Sequence, residues 1–136
     1  MELRECIKKG FIKKTVVNSN LINSLIQMSM IKENTVRKAK LDEENISVYL
    51  SVAYDALREI LESLCISKGY KVVSHVCLGE LLRDLFTDFN YSEFNRCRWI
   101  RNSINYYGEK VDLEQGKELI KKIFKLKDEC LLMLKK

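Results

Sequence analysis

The sequence predicts an all-α fold, an up-and-down four-helix bundle with an additional N-terminal helix. Three observations predict it. The 136 residues include no proline and five glycines, so few positions break a helix. Apolar residues recur at helical spacing through several long stretches. The connections between those stretches are short, which sets neighbouring helices antiparallel. The length suits one domain, with a helical extension over 1–17 and the bundle over 18–136.

Leu3 to about Lys14 reads as a short helix interrupted at Gly10. Val16 and Val17 are the only local β-like pair and are too short to matter, so no strand is expected. The second helix begins at Asn18 or Ser19, either of which can cap it, and runs to about Leu41. It carries Leu21, Ile22, Leu25, Ile26, Met28 and Ile31 at helical spacing. The third has acids at its start, Asp42-Glu43-Glu44, where the helix dipole favours them. Its stripe runs from Ile46 through Leu50, Ala53, Leu57 and Leu61, and Gly69 ends it as a left-handed cap. At about 1.5 Å per residue it would span roughly 40 Å. The fourth helix starts near Ser74 and reaches Phe86. The fifth runs from Asn90–Ser92 to Gly108. The sixth opens at Asp112, with Gln115 in capping-box position.

Ordinary apolar content and a high charged fraction argue against disorder. A net charge of +5 permits RNA, DNA or acidic partners without demanding them. The lysines at 8, 9, 13 and 14, and those of the last helix from Lys117 to Lys127, read as solvated faces. Five cysteines, odd in number and widely spaced, with no Cys-x-x-Cys, argue against a disulfide framework and a structural zinc site. They read as small core residues in a reducing cytoplasm. The first residues carry both charge signs and no apolar h-region, so no signal peptide is expected. No apolar run approaches membrane-spanning length. A cytoplasmic protein with no membrane contact is the expectation. No glycine-rich phosphate loop is present, which excludes a P-loop enzyme.

The segment Arg101-Asn-Ser-Ile-Asn-Tyr-Tyr-Gly108 is the most informative for function. At about 100° per residue, Arg98, Arg101, Asn102 and Asn105 share one side of the fifth helix, with Tyr106 just beyond. Cys97, Ile100, Ile104 and Tyr107 take the core side. Two guanidiniums beside two carboxamides suit a phosphate or another acceptor-rich partner. The alternative is a solvated polar face, as any amphipathic helix has. Asparagine is a poor helix former, placed inside helices for its hydrogen bonds.

Two stretches resemble the HEPN family (higher eukaryotes and prokaryotes nucleotide-binding). One is Tyr54-Asp-Ala-Leu-Arg-Glu-Ile-Leu-Glu-Ser-Leu-Cys-Ile-Ser-Lys-Gly-Tyr70, followed by Ser74-His75. The other is Arg101 to Gly108 with Asp112 opening the last helix. Their order and spacing, spanning about Asp42 to Lys136, carry the resemblance more than either alone. It implies a four-helix bundle acting as a homodimer. It also implies a metal-independent RNA-cleaving site, in which an arginine is followed after about four to six residues by a histidine. Many single-domain members of the family are toxins neutralised by a minimal nucleotidyltransferase encoded beside them. Arg101 matches the arginine and Asn102 the polar residue that often follows it. The histidine position falls on Tyr106.

That departure bears on the chemistry. Cleavage through a 2′-hydroxyl needs a proton acceptor working near neutral pH, which tyrosine, with a pKa near 10, is not. Tyr106 suits phosphate or base contact. The expected catalytic set is Arg101, Asn102 and Tyr106, and the expected RNA- or nucleotide-binding set is Arg98, Asn105 and Trp99. Trp99 suits either base stacking or a subunit interface. His75, the only histidine, is a second catalytic candidate; its alternative role is a structural bond across the turn after Gly69. Asp55, Glu59 and Glu62 lack a histidine or further carboxylate at ligand spacing, so no metal and no cofactor are expected. Two functions follow. One is an RNA- or nucleotide-associated HEPN-like protein, a degenerate endoribonuclease of toxin–antitoxin type. The other is a non-catalytic helical module partnering a minimal nucleotidyltransferase. A purely structural bundle would show Arg98, Arg101 and Asn102 all bonded to their own chain, with no open groove.

Overall fold

A computed structural model describes residues 1–135, and the side chains of Tyr106 and Tyr107 lie outside the described set. In chain order the elements are α1 (Leu3–Lys8), β1 (Ile12–Lys14), α2 (Ser19–Lys38), α3 (Ile46–Ser67), β2 (Tyr70–Val72), α4 (His75–Leu85), α5 (Tyr91–Tyr107) and α6 (Leu113–Leu134). The molecule is an all-α helical bundle with one small ribbon.

Side-chain caps start four of the helices. Asn18, Ser74, Asn90 and Asp112 each accept from a backbone N–H three residues on, at Leu21, Cys77, Glu93 and Gln115. The start of α3 is built differently. Asp42 Oδ1 accepts from the N–H groups of Glu44 and Asn45, and Asn45 Oδ1 accepts from that of Asp42. This reciprocal turn delays the helix to Ile46, so α3 spans about 33 Å instead of the expected 40 Å. The second helix likewise ends at Lys38, before the expected Leu41.

Its 22 residues make α3 the central strut, packed against α2, α4, α5 and α6. Leu50, Ala53, Tyr54, Ala56, Leu57, Ile60, Leu61 and Leu64 are all buried, which covers more than one helix face. Small residues admit its neighbours. Ser29 of α2 donates to the carbonyl of Ala56 at 2.6 Å. A Cβ on Gly116 of α6 would lie 2.4 Å from Ile46 Cγ1.

Three expectations are corrected. First, a ribbon exists: β1 and β2 pair antiparallel, with Ile12 opposite Val72 and Lys14 opposite Tyr70. Three-residue strands are too short to show a period of two, and their partners lie far apart in the chain. Gly69, at φ +83°, turns the chain out of α3 into β2 while its carbonyl accepts from Thr15 N–H at 2.8 Å. Second, Cys6 of α1 and Cys77 of α4 form a disulfide, while Cys65, Cys97 and Cys130 are free and buried. The sequence separation of 71 residues hides such a pair from any local pattern. Burial pushes the three free thiols up to about 12. Third, Lys127 is not on a solvated face. It is 5% exposed and ion-paired with Glu33 of α2 and Asp128. Among the described residues, no helix is long and apolar enough to cross a membrane.

Candidate functional site

The polar side of α5 meets α3 beside the first residue of α4. From α3 come Ser51, Tyr54, Asp55 and Arg58, spaced i, i+3, i+4 and i+7 and so on one face. From α5 come Arg98, Arg101, Asn102 and Asn105. Phe94 and Cys97 on the same helix are buried, which anchors α5 and fixes which way its arginines face.

Arg101 lies at the centre. Its Nη2 stands 3.5 Å from Asp55 Oδ1, and its guanidinium carbon is 5.4 Å from the centre of the Tyr54 ring. The Asn105 carboxamide reaches Ser51 Oγ at 3.3 Å in either amide orientation. With its oxygen toward Arg101 it accepts from Nε at 3.1 Å and Nη2 at 3.3 Å. We assign that orientation, because the reverse sets its NH2 group against the guanidinium. Arg58 stands 3.8 Å from Asp55 Oδ1 and donates to Glu62 Oε1 at 2.8 Å. Asp55 Oδ1 therefore sits between two guanidiniums, buried and without a directed hydrogen bond. Arg98 gives Nε (3.2 Å) and Nη2 (2.8 Å) to Asn95 Oδ1.

His75 joins the cluster through Tyr54, whose hydroxyl is 3.0 Å from the imidazole Nδ1. Burial holds the Tyr54 hydroxyl protonated, above its ordinary pKa, against the opposing pull of Arg101, Arg98 and Arg58. Burial is also the largest cause of the lowered His75 pKa, brought to about 4, with Arg58, Arg101 and Arg98 adding to it and Asp55 opposing. The ring is neutral at pH 7. With Tyr54 O–H donating to Nδ1, the imidazole proton sits on Nε2. The other tautomer would leave the buried hydroxyl proton with no acceptor among the described residues. In this state His75 is a hydrogen-bond donor and not a proton acceptor.

The arrangement gathers the expected residues unevenly. Arg101 and Asn105 are bonded to each other, and Arg98 stands alongside, held by Asn95. Asn102 is partly buried and forms no side-chain hydrogen bond among the described residues. Of the three bonds that a purely structural bundle calls for, those of Arg98 and Arg101 are present and that of Asn102 is absent among the described residues. Trp99 points to solvent, 61% exposed. His75 bonds back to Tyr54 of α3, which joins the two helices on either side of the turn at Gly69. The side chain of Tyr106 lies outside the described residues.

Reading for function from α5 alone missed Ser51, Tyr54, Asp55 and Arg58. A signal was present: Ser51, Asp55 and Arg58 follow one another at helical spacing along one side of α3, apart from its apolar stripe. Among the described residues, no group of three His, Cys, Asp or Glu side chains could hold a metal ion. The larger clefts lie elsewhere, beside Thr15–Leu21 and between the end of α2 and α6, so this site is a face rather than a pocket. Such a face, with three guanidiniums against two carboxylates and a neutral imidazole, can hold phosphate oxygens without a metal. No protein-family model matches the chain, and no curated protein matches it in sequence.

Proposed function

We propose that this chain is an RNA- or nucleotide-associated protein of HEPN type that holds phosphate on the α3–α5 face. The observation that carries the reading is the gathering of Arg58, Arg98 and Arg101 around Asp55 and Tyr54, next to a neutral His75. Arg101 and Arg98 would take phosphate oxygens, and Asn102, whose carboxamide has no partner among the described residues, would orient them. We take the homodimer that the resemblance implies as part of this reading. The cytoplasm is the compartment we assign to a protein that meets RNA. The Cys6–Cys77 bond must then resist the thiol pool there.

Binding is the stronger half of the reading, and cleavage the weaker. The one histidine has its acceptor nitrogen engaged by Tyr54, and α5 carries tyrosine where the family motif has histidine. This favours the second reading, a non-catalytic module whose partner is a minimal nucleotidyltransferase. Labelled RNA incubated without metal, with the parent protein and with Arg101→Ala, separates the two. Retention of RNA by the parent with no cutting, and loss of retention in Arg101→Ala, is the expected result. Cutting that disappears in Arg101→Ala would establish the endoribonuclease. An Arg101→Ala protein that holds RNA as the parent does would sink the phosphate site altogether.

A further inference from the structure

The most exposed aromatic surface of the site lies beside its least compensated charge. Trp99 is 61% exposed on α5, although a ring this large is normally covered. The guanidinium of Arg98 is 5.7 Å from its ring centre. Asn95 Oδ1 fixes that guanidinium with two bonds, which leaves three of its five N–H groups for other acceptors. The neighbouring arginines differ from it. Arg101 faces Asp55, and Arg58 faces both Asp55 and Glu62. Among the described residues Arg98 has no carboxylate within 4 Å. It is an oriented cation without a counter-charge, next to a flat apolar surface open to water.

We propose that Trp99 and Arg98 form a stacking platform for an unpaired base and its adjoining phosphate, so that the nucleic acid taken by this face is single-stranded. The inference rests on the phosphate-binding reading above and narrows its substrate class. In a duplex both faces of each base are covered by neighbours, and the deep major groove of A-form RNA excludes a side chain carried on a helix. A single strand offers free base faces, and an indole with a guanidinium over one face and the rest open to water matches a base next to a phosphate. A second copy of the chain is the competing occupant, since Val48 of α3 is also 62% exposed. That occupant would bring its own charge to a face already in cationic excess, whereas a nucleic acid strand neutralises Arg98.

Trp99 is the only tryptophan, so its fluorescence reports this position alone. The experiment titrates the full chain with an unstructured oligouridylate, a duplex RNA of equal length and inorganic pyrophosphate. Anisotropy of the labelled oligouridylate measures affinity independently, for the parent, Trp99→Ala and Arg98→Ala. Saturable quenching by the single strand is expected, with little change from duplex or pyrophosphate. Trp99→Ala should weaken the oligonucleotide by about tenfold or more. Arg98→Ala should weaken it by about fivefold and lower the salt dependence by roughly one counterion. An unchanged circular dichroism spectrum checks that these surface variants fold.

Equal affinity of Trp99→Ala and the parent for the oligonucleotide would overturn the stacking proposal while leaving the phosphate site standing. Equal binding of duplex and single strand would overturn the proposed substrate class in the same way. No binding of any RNA by the parent would remove the phosphate-binding reading and this inference with it. A change in sedimentation on Trp99→Ala with unaltered RNA affinity would assign the face to a second copy and overturn the proposal.

Discussion

Asp55 is the residue on which the site's charge balance turns. Its carboxylate faces two guanidiniums at 3.5 and 3.8 Å, too far for well-directed hydrogen bonds, and one oxygen is buried without one. An internal anion so placed competes with a phosphate for the same cations. Asp55→Asn is therefore expected to tighten oligonucleotide binding by about three- to tenfold, where Arg101→Ala weakens it, with anisotropy as the measure. A weaker Asp55→Asn would mean that the carboxylate positions the arginines and does not rival the ligand. His75 makes a second prediction, through pH. Its folded pKa, about 4, lies below the unfolded value near 6.5, so between those limits the unfolded chain binds the extra proton. Stability should fall as pH drops from about 6.5 to 4. Discounted for solvent screening of a partly exposed ring, the loss is roughly 1–2 kcal/mol, or about 5 °C in Tm. His75→Gln should flatten that part of the profile. A wild-type slope in the variant would assign the effect to other groups.

At the scale of elements, the approach of α6 to α3 makes the sharpest claim. Gly116 lies in the first turn of α6, where alanine is by propensity about 1 kcal/mol better. The added methyl would meet Ile46, which is fully buried at the start of α3 and has nowhere to move. Overpacking should win, and Gly116→Ala should lose about 1–3 kcal/mol in urea unfolding. A stabilised variant would mean that the two helices can separate at that end. The same helices show what a sequence conceals at this scale. The periodic stripe of α3 was legible from Ile46 to Leu64, because apolar spacing is a local property. The polar positions on its other side, Ser51, Asp55 and Arg58, acquire meaning only from Arg101 of α5, which no local pattern contains. Lys127 was misread for the same reason, since its partner Glu33 belongs to α2.

At the scale of the whole molecule, the disulfide ties the N-terminal segment to the bundle. Cys6 and Cys77 close a loop of 71 residues that contains α2 and α3, and β1 rests on β2 just inside it. In the chain-entropy picture a loop of that length stabilises by roughly 4 kcal/mol. Three of the five cysteines should react with a thiol reagent in denaturant without reductant, and all five after reduction. Reduction, or Cys6→Ser, should lower Tm. Five reactive thiols before reduction would remove the bond from the account. The free cysteines matter less, since burial keeps all three as protonated thiols.

The sequence by itself determined the helical class, most of the caps and the side of α5 that carries Arg98, Arg101, Asn102 and Asn105. Apolar period, absence of proline and capping residues all act within a few neighbours along the chain. Only the tertiary structure decided what that polar side meets. The Tyr54–His75 bond, the pairing of Asp55 with Arg101, the ribbon and the disulfide all join residues more than twenty positions apart. Contacts of that kind are set by how helices pack, and packing depends on the whole core at once, not on any single segment.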